Sequence, residues 1–361
     1  MTGRAVARVS RGAIEQNCAL LRERLRGAEL CAVVKANGYG HGADTAARAA
    51  LAGGATRLAV ATAAEAADLS VEARVLVMGA LTREDLDVAL GAGADVVAWT
   101  GEFLDAVAAR GGGRVHVKLD SGMGRLGTKD PVEARALCDR VAATDGLELA
   151  GLMTHFATAD EPGDDHFPDQ LARFTALMEE VRGDHPGVTV HAANSAAVLR
   201  EPAAHFDMAR CGIATYGMDP FGDDPAAYGL TPALRLESYV AAVKRFEPGD
   251  SAGYGRRWRA SEPTWVGVLP IGYGDGWRRA LTNDADVLVR GRRHPLVGTV
   301  SMDNITIDLG PETDVEVGDE AVLIGEQGGE RILAEEVARR IGTINYEVTT
   351  ALLPRTKRVE A

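Results

Sequence analysis

Short apolar runs rich in β-branched residues alternate with alanine-rich segments along the first two thirds of the chain. Such runs, bounded by turn residues, are typical of buried strands. The segments between them are rich in Ala, Leu, Glu and Arg, which favour helices. The predicted strands cover residues 30–35, 58–62, 73–78, 94–99, 114–119, 147–154, 188–192 and 206–211. The predicted helices cover residues 43–52, 63–69, 101–110, 132–143 and 170–182.

This order of elements predicts an α/β fold. Eight strands, each followed by room for a helix, match an N-terminal (β/α)8 TIM barrel. The alternative is a doubly wound open sheet. The sequence has no GxGxxG motif after its first predicted strand, and this weakens the alternative.

The pattern changes after Tyr216. Residues 217–229 are rich in Gly, Asp and Pro and are typical of a linker. Beyond them, strand-like runs at 236–243, 265–270, 286–289, 306–309 and 320–324 are joined by one helical segment at 334–341. A chain of 361 residues usually needs more than one core. We therefore expect a barrel domain over residues 1–230, with its first few residues free to pack on a mostly β domain over residues 231–361.

Charge and composition narrow the classes of partner. The formal net charge of −13 disfavours nucleic acid and anionic membranes as partners. No apolar run approaches the roughly 20 residues needed to span a bilayer, and the N-terminus does not have the pattern of a signal peptide. The cysteines share no CxxC spacing, so we expect free thiols, no metal site and a cytoplasmic location.

Polar residues follow or end the predicted barrel strands, where TIM barrels carry their active sites. These residues are Lys35, Lys118, Asp120, His155, Asn194, Ser195 and Arg210. Lys35 ends an apolar strand and precedes a glycine-rich turn. An amine beside an apolar core can lose its proton and attack an aldehyde. A solvated lysine at a strand end is the simpler interpretation of its position alone.

The other candidates are ambiguous when taken one at a time. The loops at 194–197 and 211–214 suit a phosphate site, with Ser195, Gly212 and Ile213 as donors, or simply a helix cap. Arg210, His155 and His191 could each have a structural partner. Lys118 and Arg125 are two cations around a glycine-rich turn. Three further candidates in the second domain, each individually more typical of a structural residue, are Tyr254, Tyr273 and Asp303.

Together these segments resemble the alanine racemase family. The motifs VKANGYGHG, KLDSGMGRLG, THFATAD, HAANSAA, ARCGIATYG, PIGYGDG, SMDN and NYEV occur in this order and span nearly the whole chain. The resemblance implies an isomerase that interconverts L-alanine and D-alanine through a carbanion stabilised by pyridoxal 5′-phosphate. It also implies a head-to-tail homodimer with shared active sites and a small amino acid as substrate.

The resemblance assigns a role to each residue. Lys35 would hold the cofactor as a Schiff base and act as one base, and Tyr254 of the partner subunit would be the opposed base. The remaining cofactor contacts would be Tyr39, His155, Asn194, Ser195, Arg210, Gly212, Ile213 and Tyr346, with Arg210 facing the pyridine nitrogen. Arg125 and Met302 would bind the substrate carboxylate. Supporting residues would be Lys118, as an N-carboxylated lysine that orients Arg125, with His191, Tyr273 and Asp303.

One further link is expected between the second base and the cofactor arginine. A tyrosine needs help to act as a base near neutral pH, because its phenol ordinarily holds its proton there. A chain of contacts from Tyr254 through His191 to Arg210 would supply it, since a nearby cation favours the phenolate.

Small departures and rival functions remain. Gly38 stands before Tyr39 where alanine is usual in the family, and Ser121 stands where threonine is usual. The tail, residues 351–361, departs more and affects the expected packing around Tyr346. Serine or another small amino acid could replace alanine as substrate. A pyridoxal-phosphate-dependent decarboxylase would place a cysteine in the second domain, and here all four cysteines precede residue 212. A non-catalytic cofactor-binding protein would resemble the barrel alone.

Overall fold

The computed structural model describes residues 3–361. The first strand, β1 (Val6–Val9), lies outside the barrel. Across the described range, eight parallel strands then close into a barrel in sequence order. They are β2 (Glu29–Val33), β3 (Arg57–Val60), β4 (Arg74–Val77), β5 (Asp95–Ala98), β6 (Gly113–Lys118), β7 (Leu147–Met153), β8 (Thr189–His191) and β9 (Met208–Cys211). The predicted fold class is confirmed.

Helices precede the first barrel strand and occupy the connections between the barrel strands. They are α1 (Arg11–Arg24), α2 (Lys35–Tyr39), α3 (Ala43–Ala52), α4 (Ala63–Asp68), α5 (Arg83–Gly91), α6 (Gly101–Ala108), α7 (Pro131–Ala143), α8 (His166–Asp184) and α9 (Ser195–Arg200). Helices α4, α5 and α6 each begin after a threonine whose hydroxyl accepts a backbone N–H of the first turn. Such caps fix where a helix starts after a strand.

The second part of the chain is mostly β. Its strands are β10 (Leu234–Tyr239), β11 (Ala242–Phe246), β12 (Ser251–Ala252), β13 (Trp258–Arg259), β14 (Thr264–Leu269), β15 (Asp286–Val289), β16 (Arg292–Pro295), β17 (Ile305–Gly310), β18 (Glu320–Gln327), β19 (Glu330–Ile332) and β20 (Lys357–Glu360). Its helices are α10 (Ala334–Arg340) and α11 (Asn345–Thr350). Short 3-10 turns occur in both parts of the chain, at Pro202–Ala204, Ile213–Tyr216, Pro225–Tyr228, Tyr254–Arg256 and Arg279–Leu281.

Both ends of the described chain join the largest sheet of this second part. Strand β1 pairs antiparallel with β10 and parallel with β20. The sheet order is β16-β15-β18-β10-β1-β20, with β19 added to β18. Strands β11, β14 and β17 form a separate sheet, and β12 pairs with β13. The chain therefore starts in the β sheet, builds the barrel and returns to the sheet.

The segment predicted as a linker is anchored in the structure, and one predicted strand differs from it. Asp219, within residues 217–229, is buried: its N–H donates to Glu335 (2.9 Å) and its carbonyl accepts from Asn345 (2.8 Å). The single strand predicted at 236–243 is divided into β10 and β11. It is divided because β10 pairs with β1 and β18, whereas β11 pairs with β14 in the other sheet.

The cysteines are free, as predicted. They are also buried, and burial raises the pKa of each thiol. No helix within residues 3–361 combines the length and apolar character needed to cross a bilayer.

Candidate active site

A cavity of about 670 Å³ lies where the barrel strands end. Parallel strands place their carboxyl ends at one face of the barrel, so residues from distant segments meet there. The predicted site residues that line the cavity are Lys35, Tyr39, Lys118, Arg125, His155, Asn194, Ser195, Arg210, Gly212, Ile213 and Tyr346. Of the predicted barrel residues, Asp120 and His191 are not part of this lining.

Lys35 stands at the start of an unusual backbone turn. Strand β2 ends at Val33, and Lys35 begins the short segment α2. The next four residues, 36–39, all have left-handed backbone angles, with φ between 52° and 60°. For residues other than glycine this conformation costs roughly 1–2 kcal/mol each. A strained turn that survives next to a cavity is typical of a functional site.

Side chains on both sides of this turn bind its backbone. Glu65 accepts the N–H of Ala36 at 2.6 Å, and His41 Nδ1 donates to the carbonyls of Gly38 and Tyr39 at 3.1 and 3.0 Å. Burial lowers the pKa of His41 to about 4, so the ring is neutral and Nδ1 carries its proton. These bonds offset the cost of the turn and fix the direction in which Lys35 leaves the strand.

The two lysines at the cavity are shifted towards the neutral amine. Burial, followed by repulsion from Arg125, lowers the pKa of Lys35. Burial and the positive charges of Arg210 and Arg125 lower the pKa of Lys118 to about 8. A neutral amine is the nucleophilic form of lysine, so both side chains are prepared to react with an electrophilic carbon.

One end of the cavity is built from tyrosines and a glycine. Gly212 has no side chain, and a Cβ there would lie only 2.2 Å from Tyr39 Oη. Tyr39 stacks on Tyr216 and lies 5.9 Å from the ring of Tyr346. Burial raises the pKa of Tyr39 and Tyr346, so both phenols keep their protons. Ser195 Oγ accepts the N–H groups of Gly212 and Ala214.

The guanidinium of Arg210, which also lines the cavity, is locked in place. Nη1 donates to His191 Nδ1 (2.7 Å) and to the His191 carbonyl (3.0 Å). Nη2 donates to the carbonyls of Thr154 (2.7 Å) and Ala192 (3.1 Å) and lies 3.3 Å from His155 Nδ1. Burial lowers the pKa of Arg210 to about 10, so it stays a cation near neutral pH. Within residues 3–361, these side-chain contacts of Arg210 are all made by Nη1 and Nη2 and none by Nε.

The expected link from Tyr254 through His191 to Arg210 is wrong. His191 is fully buried, and its two nitrogens are occupied by Arg210 and His116, so none is free for a phenol. His155 is the imidazole that both contacts Arg210 and lines the cavity. The physical reason is position in the strand: His191 is the last residue of β8, whereas His155 follows the end of β7 and lies at the mouth.

Two predicted residues have local structural partners. Asn194 Oδ1 accepts the N–H of Ala197 and so caps α9, while Asn194 also lines the cavity. Asp120 accepts the N–H groups of Gly122, Gly124 and Arg125, at 3.0 to 3.1 Å. Asp120 therefore shapes the glycine-rich loop that carries Arg125.

Of the second-domain candidates, Tyr346 lines the cavity of Lys35, whereas Tyr254, Tyr273, Met302 and Asp303 do not line it in this chain. Tyr254 is 75% exposed and lines a separate cleft with Thr299 and Ser301. Met302 is also exposed, and its carbonyl accepts a bond from Arg355. Tyr273 lines another surface cleft, and Asp303 is paired with Arg355 at 2.7 Å. A large exposed tyrosine is available to another molecule.

Comparison with known proteins places these features in one family. The model of the alanine racemase N-terminal domain matches residues 9–220, and that of the C-terminal domain matches residues 233–360. The chain belongs to the alanine racemase family. It is 40% identical to the alanine racemase of Symbiobacterium thermophilum, over 98% of this chain and 96% of that protein. It is 42% identical to that of Thermobifida fusca, over 99% and 98%.

A solved structure of an alanine racemase has the same architecture. The enzyme of Streptomyces coelicolor A3(2) superposes with a TM-score of 0.92 at 36% identity, covering 99% of this chain and 98% of that one. The resemblance predicted from the motifs is confirmed, and the chain is an isomerase by family.

The tail that departs from the usual alanine racemase ending is fully integrated here. Strand β20 pairs with β1, and Arg358 donates to the carbonyl of Gly40 at 3.0 Å. Arg355 binds the carbonyl of Met302. Tyr346, on α11, keeps its place against Tyr39 in the cavity. The tail thus touches both the turn after Lys35 and the loop of Met302.

Sequence reasoning missed residues that do not line this cavity themselves but contact residues at or behind its lining. Glu65 and His41 hold the left-handed turn, and His116 and Asp95 lie behind His191. His41 stands in the quoted VKANGYGHG motif, and His116 is a histidine in the middle of an apolar strand, which is an unusual place for one. In the sequence, Glu65 stands three residues after Thr62, which indicates only the start of a helix.

Proposed function

We propose that this protein is an alanine racemase that interconverts L-alanine and D-alanine with pyridoxal 5′-phosphate bound at Lys35. The observation that carries the proposal is that Lys35, Arg210, Tyr39 and Gly212 line one cavity of a chain that belongs to this family. An aldehyde-reactive amine, a fixed cation and a set of neutral donors are the groups that such a cofactor requires.

The residues present fit the cofactor at both of its polar ends. The phenols of Tyr39 and Tyr346 are protonated donors for a phosphate, and Gly212 leaves the room that a Cβ would fill. Ser195 offers its hydroxyl proton, since its oxygen already accepts two backbone N–H groups. At the other end, the Nε–H of Arg210 suits the pyridine nitrogen.

Arg210 would limit the reaction to racemisation. When bound, pyridoxal phosphate withdraws electrons from the substrate α-carbon and so acidifies its proton. Arg210 holds its own proton tightly, because its pKa stays near 10 even when buried. It would therefore donate a hydrogen bond to the ring nitrogen without protonating it. A weaker electron sink disfavours side reactions such as transamination.

Two bases on opposite faces of the α-carbon would move the proton. Lys35 Nζ would serve one face, since burial favours its neutral amine. Tyr254 of the partner subunit would serve the other face. His155 would face that phenol, because it lines the cavity and contacts the Arg210 cation.

Lys118 and Arg125 would prepare the substrate carboxylate site. The pKa of Lys118, lowered to about 8, favours the neutral amine that reacts with carbon dioxide to form a carbamate. A carbamate at Lys118 would be an anion placed to orient Arg125. Arg125 and the backbone of Met302 would then bind the carboxylate of alanine.

A head-to-tail homodimer would complete each site. Tyr254, Met302 and Tyr273 are exposed in the single chain and lie outside the Lys35 cavity. A partner subunit that covers the barrel mouth would bring them to the Lys35 of the other chain, with Tyr273 and Asp303 at the entrance.

Chiral chromatography tests the proposed activity. Protein loaded with pyridoxal phosphate is incubated separately with L-alanine and with D-alanine. We expect both reactions to converge on equal amounts of the two enantiomers, because enantiomers have equal free energies. Conversion of L-serine but not of L-alanine would transfer the proposal to the serine paralogue. No conversion of either, by folded and loaded protein, would reject it.

A further inference from the structure

A chain of hydrogen bonds runs from the cavity through the interior of the barrel. Arg210 Nη1 lies 2.7 Å from His191 Nδ1, and His191 Nε2 lies 2.8 Å from His116 Nδ1. His116 Nε2 lies 3.1 Å from Asp95 Oδ2. All four side chains are buried, and they belong to β9, β8, β6 and β5. The chain leads from the cofactor arginine to a carboxylate that does not line the cavity.

The carboxylate end gives this chain a direction. Burial raises the pKa of Asp95, but the His116 bond and the charges of Arg114 and Arg57 outweigh it, so the net pKa is lowered and Asp95 is ionised. A carboxylate can only accept, so His116 Nε2 must donate. Burial lowers the pKa of His116, which therefore stays neutral and presents a bare Nδ1.

The arginine end requires the same direction independently. An arginine N–H can only donate, so His191 Nδ1 must accept from Arg210. Burial, followed by the charge of Arg210, holds the pKa of His191 well below its ordinary value, so the ring is neutral. Its one proton then lies on Nε2 and is donated to His116 Nδ1. Donations from both ends agree, and each imidazole has a single permitted tautomer.

The surrounding barrel holds the Asp95 end in place. Arg114 Nε donates to Asp95 Oδ1 at 3.0 Å, and Arg57 Nη1 lies 3.7 Å from Oδ2. Gly151 leaves space for the imidazole of His116, because a Cβ there would lie 2.1 Å from His116 Nδ1. The register of β6 and β7 also shifts at His116.

We infer that Asp95 is a positioning residue for Arg210, which it controls through His116 and His191 by fixing the direction of the hydrogen bonds between them. The role of Arg210 at the pyridine nitrogen rests on the proposed function, whereas the tautomers follow from the geometry alone. If the chain were reversed, His191 Nδ1–H would face an Arg210 N–H at 2.7 Å. Two facing donors would displace the guanidinium that the cofactor needs.

Nitrogen NMR of the holoenzyme tests the direction without any variant of Asp95. The protein is labelled with ¹⁵N-histidine, and the two signals are assigned with His116→Gln and His191→Gln. We expect both rings to be neutral, with a proton on Nε2 and a bare Nδ1. A proton on Nδ1 of either ring, or a doubly protonated ring, would overturn the inference.

The Asp95→Asn variant tests the consequence for Arg210. One of the two polar groups of an asparagine side chain is an amide donor, which must face either Arg114 or His116, themselves donors. We expect the single tautomers to be lost and kcat for alanine to fall by about tenfold, the effect of one frustrated buried hydrogen bond. KM should change little, because Asp95 does not line the cavity.

Asp139→Asn is the matched control. Asp139 also accepts from a histidine, His185 Nε2 at 2.8 Å. It is exposed and does not belong to the chain of hydrogen bonds that links Asp95 to Arg210. It should leave the tautomers of His116 and His191 and the value of kcat unchanged. Equal effects of the two substitutions would overturn the inference. If alanine is not a substrate at all, the tautomers of His116 and His191 still decide the inference about Asp95. A failure of this inference is therefore distinguishable from a failure of the proposed function.

Discussion

The lysines at the barrel mouth show how burial and neighbouring charges change the chemistry of a side chain. Both amines are removed from water and placed near other cations, and both effects disfavour the ammonium form. The pKa of Lys118 falls to about 8. Both lysines line the cavity, and Lys35 immediately precedes the left-handed turn.

Replacement of Lys35 tests its bond to the cofactor. We expect Lys35→Ala to purify without the visible absorption that pyridoxal phosphate acquires when bound to a lysine amine. Lys129→Ala is the control, since Lys129 is an exposed lysine outside the cavity. Normal absorption in Lys35→Ala, at wild-type cofactor content, would remove Lys35 from its role.

The low pKa of Lys118 predicts how its carbamate depends on pH. Only the neutral amine attacks carbon dioxide, and a lowered pKa means that this form increases as pH rises through about 8. At fixed pressure of ¹³C-labelled carbon dioxide, the carbamate NMR signal should therefore grow across that range. An ordinary lysine would need a pH about two units higher. A signal that persists in Lys118→Ala would belong to another amine.

At the scale of elements, the pattern of the sequence was sufficient for the barrel and insufficient for the turn that serves it. Buried parallel strands leave a direct apolar signal, so all eight were predicted within a few residues. A left-handed turn has no such periodicity. Its backbone is bound by Glu65, which lies on α4, and by His41, which lies in the same loop. The same limit explains the error at His191, whose partner His116 is set by barrel closure.

Two glycines of the same loop separate backbone strain from packing. Both Gly40 and Gly42 have positive φ, but a Cβ on Gly40 would lie 2.1 Å from the Thr349 carbonyl, whereas a Cβ on Gly42 would meet nothing closer than 3.9 Å. Helix α11, which carries Tyr346, would have to move. We expect Gly40→Ala to lose about 1–3 kcal/mol more in free energy of unfolding than Gly42→Ala, and to bind pyridoxal phosphate more weakly. Equal losses in chemical denaturation would contradict this packing.

At the scale of the molecule, the first and the last strand of the described chain lie in one sheet. The second part of the structure therefore includes a strand that precedes the barrel in the sequence. Strands β1 and β20 pair with each other although they lie at opposite ends of the chain. Such long-range pairing leaves no local signal, and neither strand was predicted. The boundary near residue 230 stays a prediction. So does the homodimer, which the exposed Tyr254 supports.

Mixed dimers test whether two chains share a site. Lys35→Ala and Tyr254→Phe dimers are each expected to be inactive. After subunit exchange, a hybrid dimer would contain one site with both bases intact. Random mixing should then restore about a quarter of the wild-type activity. No recovery, once mass spectrometry has verified the exchange, would show that each site is built within one chain.

The most direct test of two opposed bases is exchange of the α-proton in D₂O, followed by proton NMR for each enantiomer of alanine. Wild-type holoenzyme should exchange both enantiomers and produce the other one from each. The alanine racemase family assigns the lysine to the face that carries the α-proton in D-alanine. On that assignment, Tyr254→Phe should still exchange the α-proton of D-alanine, through Lys35, and hardly that of L-alanine. Equal loss of exchange on the two enantiomers would contradict the assignment of one base to each face.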